Sequence, residues 1–181
     1  MSAFKPISKN WYVVRTRARS EKKVYSELTS REISCFLPMQ RKLRQWKDRK
    51  KWVNLPLITG YCFVFISKNE YNRVLQTDNV VSFITFEGKA AVVPSIQIEQ
   101  LKLMLMQSAF EVEAINENIE PGQKVEIVKG PLIGLEGEFV KCKSKNRFIL
   151  RVEHINSLFS VELPSDYVTL LTKKHFAYSG Q

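Results

Sequence analysis

The chain has 181 residues but only two histidines and three cysteines, and Cys35, Cys62 and Cys142 form no CxxC pair. His154 and His175 lie far along the chain from Cys35 and Cys62, which argues against a zinc site of ordinary Cys/His spacing. No cofactor is expected. General acid–base chemistry would have to use carboxylates or lysines, and no spacing marks out a pair of them, so a nuclease or other enzyme is the remotest reading. Long hydrophobic runs are also missing. The apolar stretch at residues 61–66 is far short of the roughly 20 residues that cross a bilayer, so no membrane partner is expected. The first ten residues carry Lys5 and Lys9 without an apolar segment behind them, so no secretory signal is read and the cytoplasm is the expected compartment.

Acidic residues are scarce in one place. Residues 1–51 hold 15 Lys/Arg and 4 Asp/Glu, a net +11, whereas residues 52–181 hold 13 and 14, a net −1. A basic excess confined to one end points to a polyanion touched by one part of the molecule, and nucleic acid is the leading candidate. The remaining composition, 44% hydrophobic and 25% charged, is that of a globular protein of one average domain or two small ones.

Residues 11–16 are β-branched and aromatic and read as a strand. Ser20 and Glu21 then open a helix of about three turns with Val24, Tyr25 and Leu28 on one face. Residues 35–38 form a second short strand. The segment 41–51 carries seven basic residues and one acid between strands. Residues 61–66 alternate so that Tyr61, Phe63 and Phe65 share one face and Cys62, Val64 and Ile66 the other, which requires cover on both sides. A short helix at 69–77, a strand at 80–86, a turn at Gly88 and Lys89, and a helix opened by Pro94 and Ser95 follow. Ile98, Leu101, Met104, Leu105 and Ser108 lie on one side of that last helix. Acidic, aperiodic residues 111–122 read as a linker between a domain at 10–110 and one at 123–172. Five short strands after the linker suggest a small β-barrel.

The sharpest local pattern is residues 125–139, where Gly130, Gly134 and Gly137 lie between two alternating strands. A tight connection there needs positive φ or close backbone approach. This pattern resembles a KOW motif. Trp11 to Val14, Pro56 to Val64, Val80 to Gly88 and Val92 to Ser95 also occur in the order seen in the NusG N-terminal domain. From residue about 10 to about 172 the chain therefore resembles a NusG-family transcription elongation factor, most closely a specialised paralogue of the RfaH-like or UpxY-like antiterminator type.

The resemblance implies an α+β fold, with an NGN-like α/β sandwich domain followed by a KOW β-barrel, in a monomer. It implies a non-enzymatic factor that docks on the clamp helices of the RNA polymerase largest subunit and reduces pausing or termination. Tyr61, Phe63 and Phe86 match the residues lining the docking face, with Arg15 at its edge in place of an aromatic. Plain core is the other reading of the strand aromatics. Arg15, Arg17, Arg19, Lys22, Lys23, Arg41, Lys42, Arg44, Trp46, Lys47, Arg49, Lys50 and Lys51 are the candidate nucleic-acid contacts, with non-template DNA as the target. Trp46 either stacks on an unpaired base or covers a hairpin stem. A small-subunit ribosomal protein or Rho is the candidate partner of the barrel. The competing class is a KOW-type ribosome- or RNA-binding module.

Overall fold

The computed structural model describes residues 8–171 except 47, 116–118, 143, 144 and 156. Lys47, Lys143, His175, part of the expected linker and residue 172 at the expected end of the second domain lie outside the described residues. The first half of the chain contains β1 (Asn10–Thr16), α1 (Glu21–Ser30), β2 (Cys35–Phe36), β3 (Met39–Gln45), β4 (Lys50–Pro56), β5 (Tyr61–Ile66) and α2 (Tyr71–Leu75). It continues with β6 (Val80–Phe83), β7 (Thr85–Phe86), β8 (Lys89–Ala90), β9 (Val92–Val93) and α3 (Ser95–Met106). Antiparallel pairing orders the main sheet β2-β5-β1-β6, with β9 also on β1. The expected strand at 80–86 is divided: Ile84 donates to Val13 O and leaves the ladder, and β7 pairs only with β8. Glu87 and Gly88, both at positive φ, form the two-residue turn between them.

The two faces of the sheet are covered by different layers, as the alternation along β5 requires. Tyr12, Val14, Cys62, Val64 and Ile66 pack with Val24 and Leu28 of α1 and Val74 of α2. Val13 and Phe63 face the other way, into a cluster with Ile98, Leu101 and Met104 of α3. Ser20 makes no side-chain cap bond at the start of α1. Glu21 is instead buried, and its carboxylate accepts the Gly60 backbone N–H at 2.7 Å, tying the first turn to the loop before β5.

The second half contains β10 (Val112–Ile115), β11 (Gln123–Ile127), β12 (Glu136–Cys142), β13 (Lys145–Arg151), β14 (Leu158–Glu162) and β15 (Val168–Leu170), ordered β10-β14-β13-β12-β11-β15. All five expected strands are present. A sixth, β10, arises inside the segment read as a linker, because Val112 and Ala114 alternate inward while Glu113 faces out to an ion pair with Arg147. The pairing order has two ends, β10 and β15, so among the described residues it is an open six-stranded sheet and not the closed five-stranded barrel expected. Gly130 and Gly134 have φ of +80° and +85°. Gly137 lies within β12, where a Cβ would sit 2.5 Å from the Phe148 ring and 2.7 Å from Ile149 O.

The apolar cluster of the first sheet does not stop at α3. It runs on into Val125, Ile127, Phe148 and Phe159 of the second sheet. Polar contacts fix the junction: Gln97 donates to Glu153 Oε1 at 3.3 Å and accepts the Glu153 N–H at 2.9 Å, and Gln40 donates to Val112 O at 2.6 Å.

Glu138 is the notable buried charge, at 3% exposure. Burial pushes its pKa up, but hydrogen bonds from Arg151, Lys124 and the Gly122 N–H outweigh this and hold it at about 2. Arg151 also donates to Ile119 O, so the pair pins the chain entering β11. A pKa depressed on folding contributes stability that is present above the unfolded value and lost as pH falls towards the folded one. Stability is therefore expected to fall by up to about 3 kcal/mol between roughly pH 5 and pH 2 from this group. Glu138→Gln flattens that part of a chemical-denaturation series measured against pH. Gly137→Ala is expected to cost about 1–3 kcal/mol, because Phe148 and backbone must shift; a shift in the urea midpoint reads it.

Candidate functional site

Alternation along β5 points Tyr61 and Phe63 towards α3, and the antiparallel register sets Arg15 of β1 directly opposite Tyr61. Arg15 is exposed and Tyr61 half-buried, so charge borders the aromatic face at this point. Phe63 has 0% exposure and stacks on Phe36 at 6.0 Å between ring centroids. Lys102 of α3 holds its ammonium 4.9 Å from the Trp11 ring centroid and 5.3 Å from that of Phe36. Phe86 is on the separate β7–β8 hairpin, 56% exposed, with its ring 4.8 Å from that of His154 in the second half. Tyr61 and Phe63 are thus together on one strand face, and Phe86 reaches the second half from another element.

The basic residues form a second feature. Arg17 and Arg19 lie in the turn after β1, with Arg19 at φ +61°, and Lys22 and Lys23 are exposed in the first turn of α1. The Lys22 ammonium donates to Asn54 O of β4. That bond brings the α1 terminus against the β3–β4 hairpin, which carries Arg41, Lys42, Arg44, Arg49, Lys50 and Lys51, all exposed. Trp46 sits at the hairpin tip at 56% exposure, and its backbone N–H bonds Arg49 O at 2.8 Å. Few acids interrupt the surface. Asp48 is at the tip, and Glu111 approaches the hairpin foot through Gln40 at 3.4 Å.

Two residues escaped the sequence reading. Leu43 and Trp52 are directly paired across the hairpin and both are exposed. Arg41 lies 5.0 Å from the centre of the Trp52 ring, a cation–π arrangement across the hairpin. The signal was the hairpin register, since residues facing each other across a short loop share a face.

The sequence profile of the family described as "Transcription termination factor nusG" matches residues 9–102, just over half of the chain. The chain belongs to the NusG family. The match covers every element that carries the aromatic face and the basic hairpin. Similarity extends further in relatives named "Transcription termination/antitermination protein NusG". One, from Streptococcus pyogenes, is 23% identical over 167 residues, covering 86% of this chain and 93% of the relative. Another, from Staphylococcus aureus strain N315, is 26% identical over 168 residues, covering 87% and 91%. A solved structure titled "Domain interaction in Thermotoga maritima NusG" aligns over 91% of this chain and 98% of that one, with a TM-score of 0.50 and 19% identity. That likeness concerns the fold. A member of the NusG family is a transcription termination or antitermination factor, and the NGN-like architecture of the first half accords with it. Among the described residues no helix is long and apolar enough to cross a membrane.

The aromatic residues of this NusG-family chain differ in what their removal should do. Phe63→Ala empties a sealed core position and is expected to cost about 3–5 kcal/mol of stability. Phe86→Ala, at an exposed ring, should change stability by less than about 1 kcal/mol. Urea unfolding of both variants reads the difference.

Proposed function

We propose that this NusG-family chain is an elongation and antitermination factor that binds RNA polymerase through its first half and contacts non-template DNA through its basic surface. The observation that carries the reading is the pairing of Arg15 with Tyr61, which makes the basic turn and the aromatic strand face neighbours on one sheet. A factor held on polymerase by apolar contacts and steered to nearby phosphates by charge needs that adjacency. Lys22 and Lys23 at the start of α1 add to the positive end of the helix dipole, raising the potential an anion meets there.

Docking through Phe63 requires movement, because its ring is closed in the cluster shared with the second sheet. In the proposed mechanism, contact with polymerase follows separation of the second sheet from α3. Phe86, with over half its surface free, is available from the outset. The second half, with Gly130 and Gly134 turning the chain between β11 and β12, acts as a KOW-type module with a protein partner. We further infer specialised action at a few operons, supported by the extended basic hairpin, and expect chromatin-type occupancy mapping to find the protein on a small set of transcribed genes.

Single-stranded DNA affinity measured against salt tests the nucleic-acid half of the reading. Replacing Arg41, Lys42 and Arg44 by Gln is expected to lower the magnitude of the log–log slope by about 2, at about 0.7 for each phosphate no longer neutralised. An unchanged slope would contradict it. For the polymerase half, Phe86→Ala is expected to weaken binding to core polymerase roughly tenfold, as a contact worth over 1 kcal/mol would. Unchanged affinity, or capture of ribosomal subunits alone, would favour the ribosome- or RNA-binding class instead.

A further inference from the structure

Two thiols share the α1 face of the main sheet, away from the aromatic face and the basic hairpin. Cys35 is on β2, a two-residue edge strand, and the register pairs it with Val64 of β5. Cys62 is therefore one diagonal step away on the same face, and both belong to the cluster under α1. The Cys62 thiol donates to Phe36 O at 3.8 Å and to Phe63 O at 3.7 Å, at the position where β2 pairs with β5. Thr29 Oγ1 of α1 approaches Cys35 Sγ at 3.5 Å, and Tyr25 O lies 3.7 Å from the same sulfur. Exposure separates the two, since Cys35 is half-buried and reachable from solvent while Cys62 has 0% exposure.

We propose that Cys35 is a reactive thiol that hydroperoxides oxidise to a sulfenic acid, which Cys62 resolves as an intramolecular disulfide. The asymmetry of the site assigns the roles. A reactive cysteine needs stabilisation of its thiolate and access to the oxidant, and a resolving cysteine needs only contact with the first. The neighbouring Cys62 thiol lowers the Cys35 pKa to about 7, against an opposing push from burial and with help from Thr29. The same contact, with burial, raises Cys62 and keeps it a thiol.

In the first step the Cys35 thiolate attacks one peroxide oxygen. A sulfur–oxygen bond forms, the oxygen–oxygen bond breaks, and the departing alkoxide takes up a proton as alcohol, or as water from hydrogen peroxide. In the second step the Cys62 sulfur attacks Cys35, the sulfur–sulfur bond forms, and hydroxide leaves with the Cys62 proton as water. Two thiols are oxidised to one disulfide and one hydroperoxide is reduced. Because β2 is an edge strand of two residues, it can close the remaining distance without disrupting a ladder on its outer side. Bridge formation draws β2 towards β5 and tethers the two beside the Phe36–Phe63 stack.

The full-length protein, treated with a small excess of hydrogen peroxide, blocked with iodoacetamide and digested with trypsin, tests this. Cys35, Cys62 and Cys142 fall on separate tryptic peptides. The expected product is the Cys35 and Cys62 peptides joined, lighter by two hydrogens and separated by dithiothreitol. In Cys62→Ala, the link does not form and a dimedone adduct accumulates on Cys35. In Cys35→Ser, neither product forms. Without oxidant, native Cys35 is expected to alkylate at least about fivefold faster than the same thiol in the urea-unfolded chain at neutral pH. Oxidation confined to Cys142 or to bridges between chains, or a Cys35 no faster than when unfolded, would overturn the proposal. Wild-type mapping does not depend on either variant folding.

Discussion

The apolar cluster that begins at Val13 and Phe63 and passes through α3 to Phe148 and Phe159 is the contact on which the arrangement of the chain depends. Its origin is visible in α3, whose residues are apolar on nearly every side. Such a helix has no stable position on the surface of one sheet and needs burial on more than one side. The first sheet covers Ile98, Leu101 and Met104, the second continues the same cluster, and Ile96, Leu103 and Met106 remain outside it as exposed residues. Gln97, Gln100 and Gln40 then supply hydrogen bonds across the junction to Glu153, Glu136 O and Val112 O. Each contributes about 1 kcal/mol at most, so they set the register of a contact whose strength is apolar.

Function and stability share residues because of that cluster. Phe63 is at once a buried residue of the first half and one of the three proposed polymerase contacts, whereas Phe86 reports on that contact from outside. The basic surface has no such conflict. Its side chains are exposed, with Lys22 bonded to Asn54 O and Arg41 over the Trp52 ring. Ten of the fifteen basic residues among the first 51 are thus gathered on one turn, one helix terminus and one hairpin of the NGN-like half: Arg17, Arg19, Lys22, Lys23, Arg41, Lys42, Arg44, Arg49, Lys50 and Lys51.

Much of this was legible in the sequence. The period-2 alternation of residues 61–66 specified both faces of β5 because each face is buried against a different layer. The charge run, expected between strands, instead forms the outer part of both arms of the β3–β4 hairpin, whose inner ends, Met39 and Pro56, are paired and partly buried. Other features were not legible, for physical reasons. β10 was hidden because Glu111 and Glu113 mask an alternation of only four residues. The role of Glu21 was hidden because its partner, Gly60 N–H, is 39 residues away. The sixth position in the second sheet depends on β10 joining β14, a long-range pairing that local propensity does not encode. The Leu43–Trp52 pair needed the hairpin register before either residue could be read as part of a surface.

One continuous cluster joins the two halves. Equilibrium unfolding of the full-length protein in urea, followed at once by tryptophan fluorescence and by circular dichroism in the far ultraviolet, measures this directly. Trp11, Trp46 and Trp52 all lie in the first half, while most strands of the second half contribute only to the dichroism. Coincident transitions with one midpoint are the predicted result, because loss of either half removes the cover of α3. Two separated transitions, with the fluorescence change unaffected by unfolding of the second sheet, would contradict it.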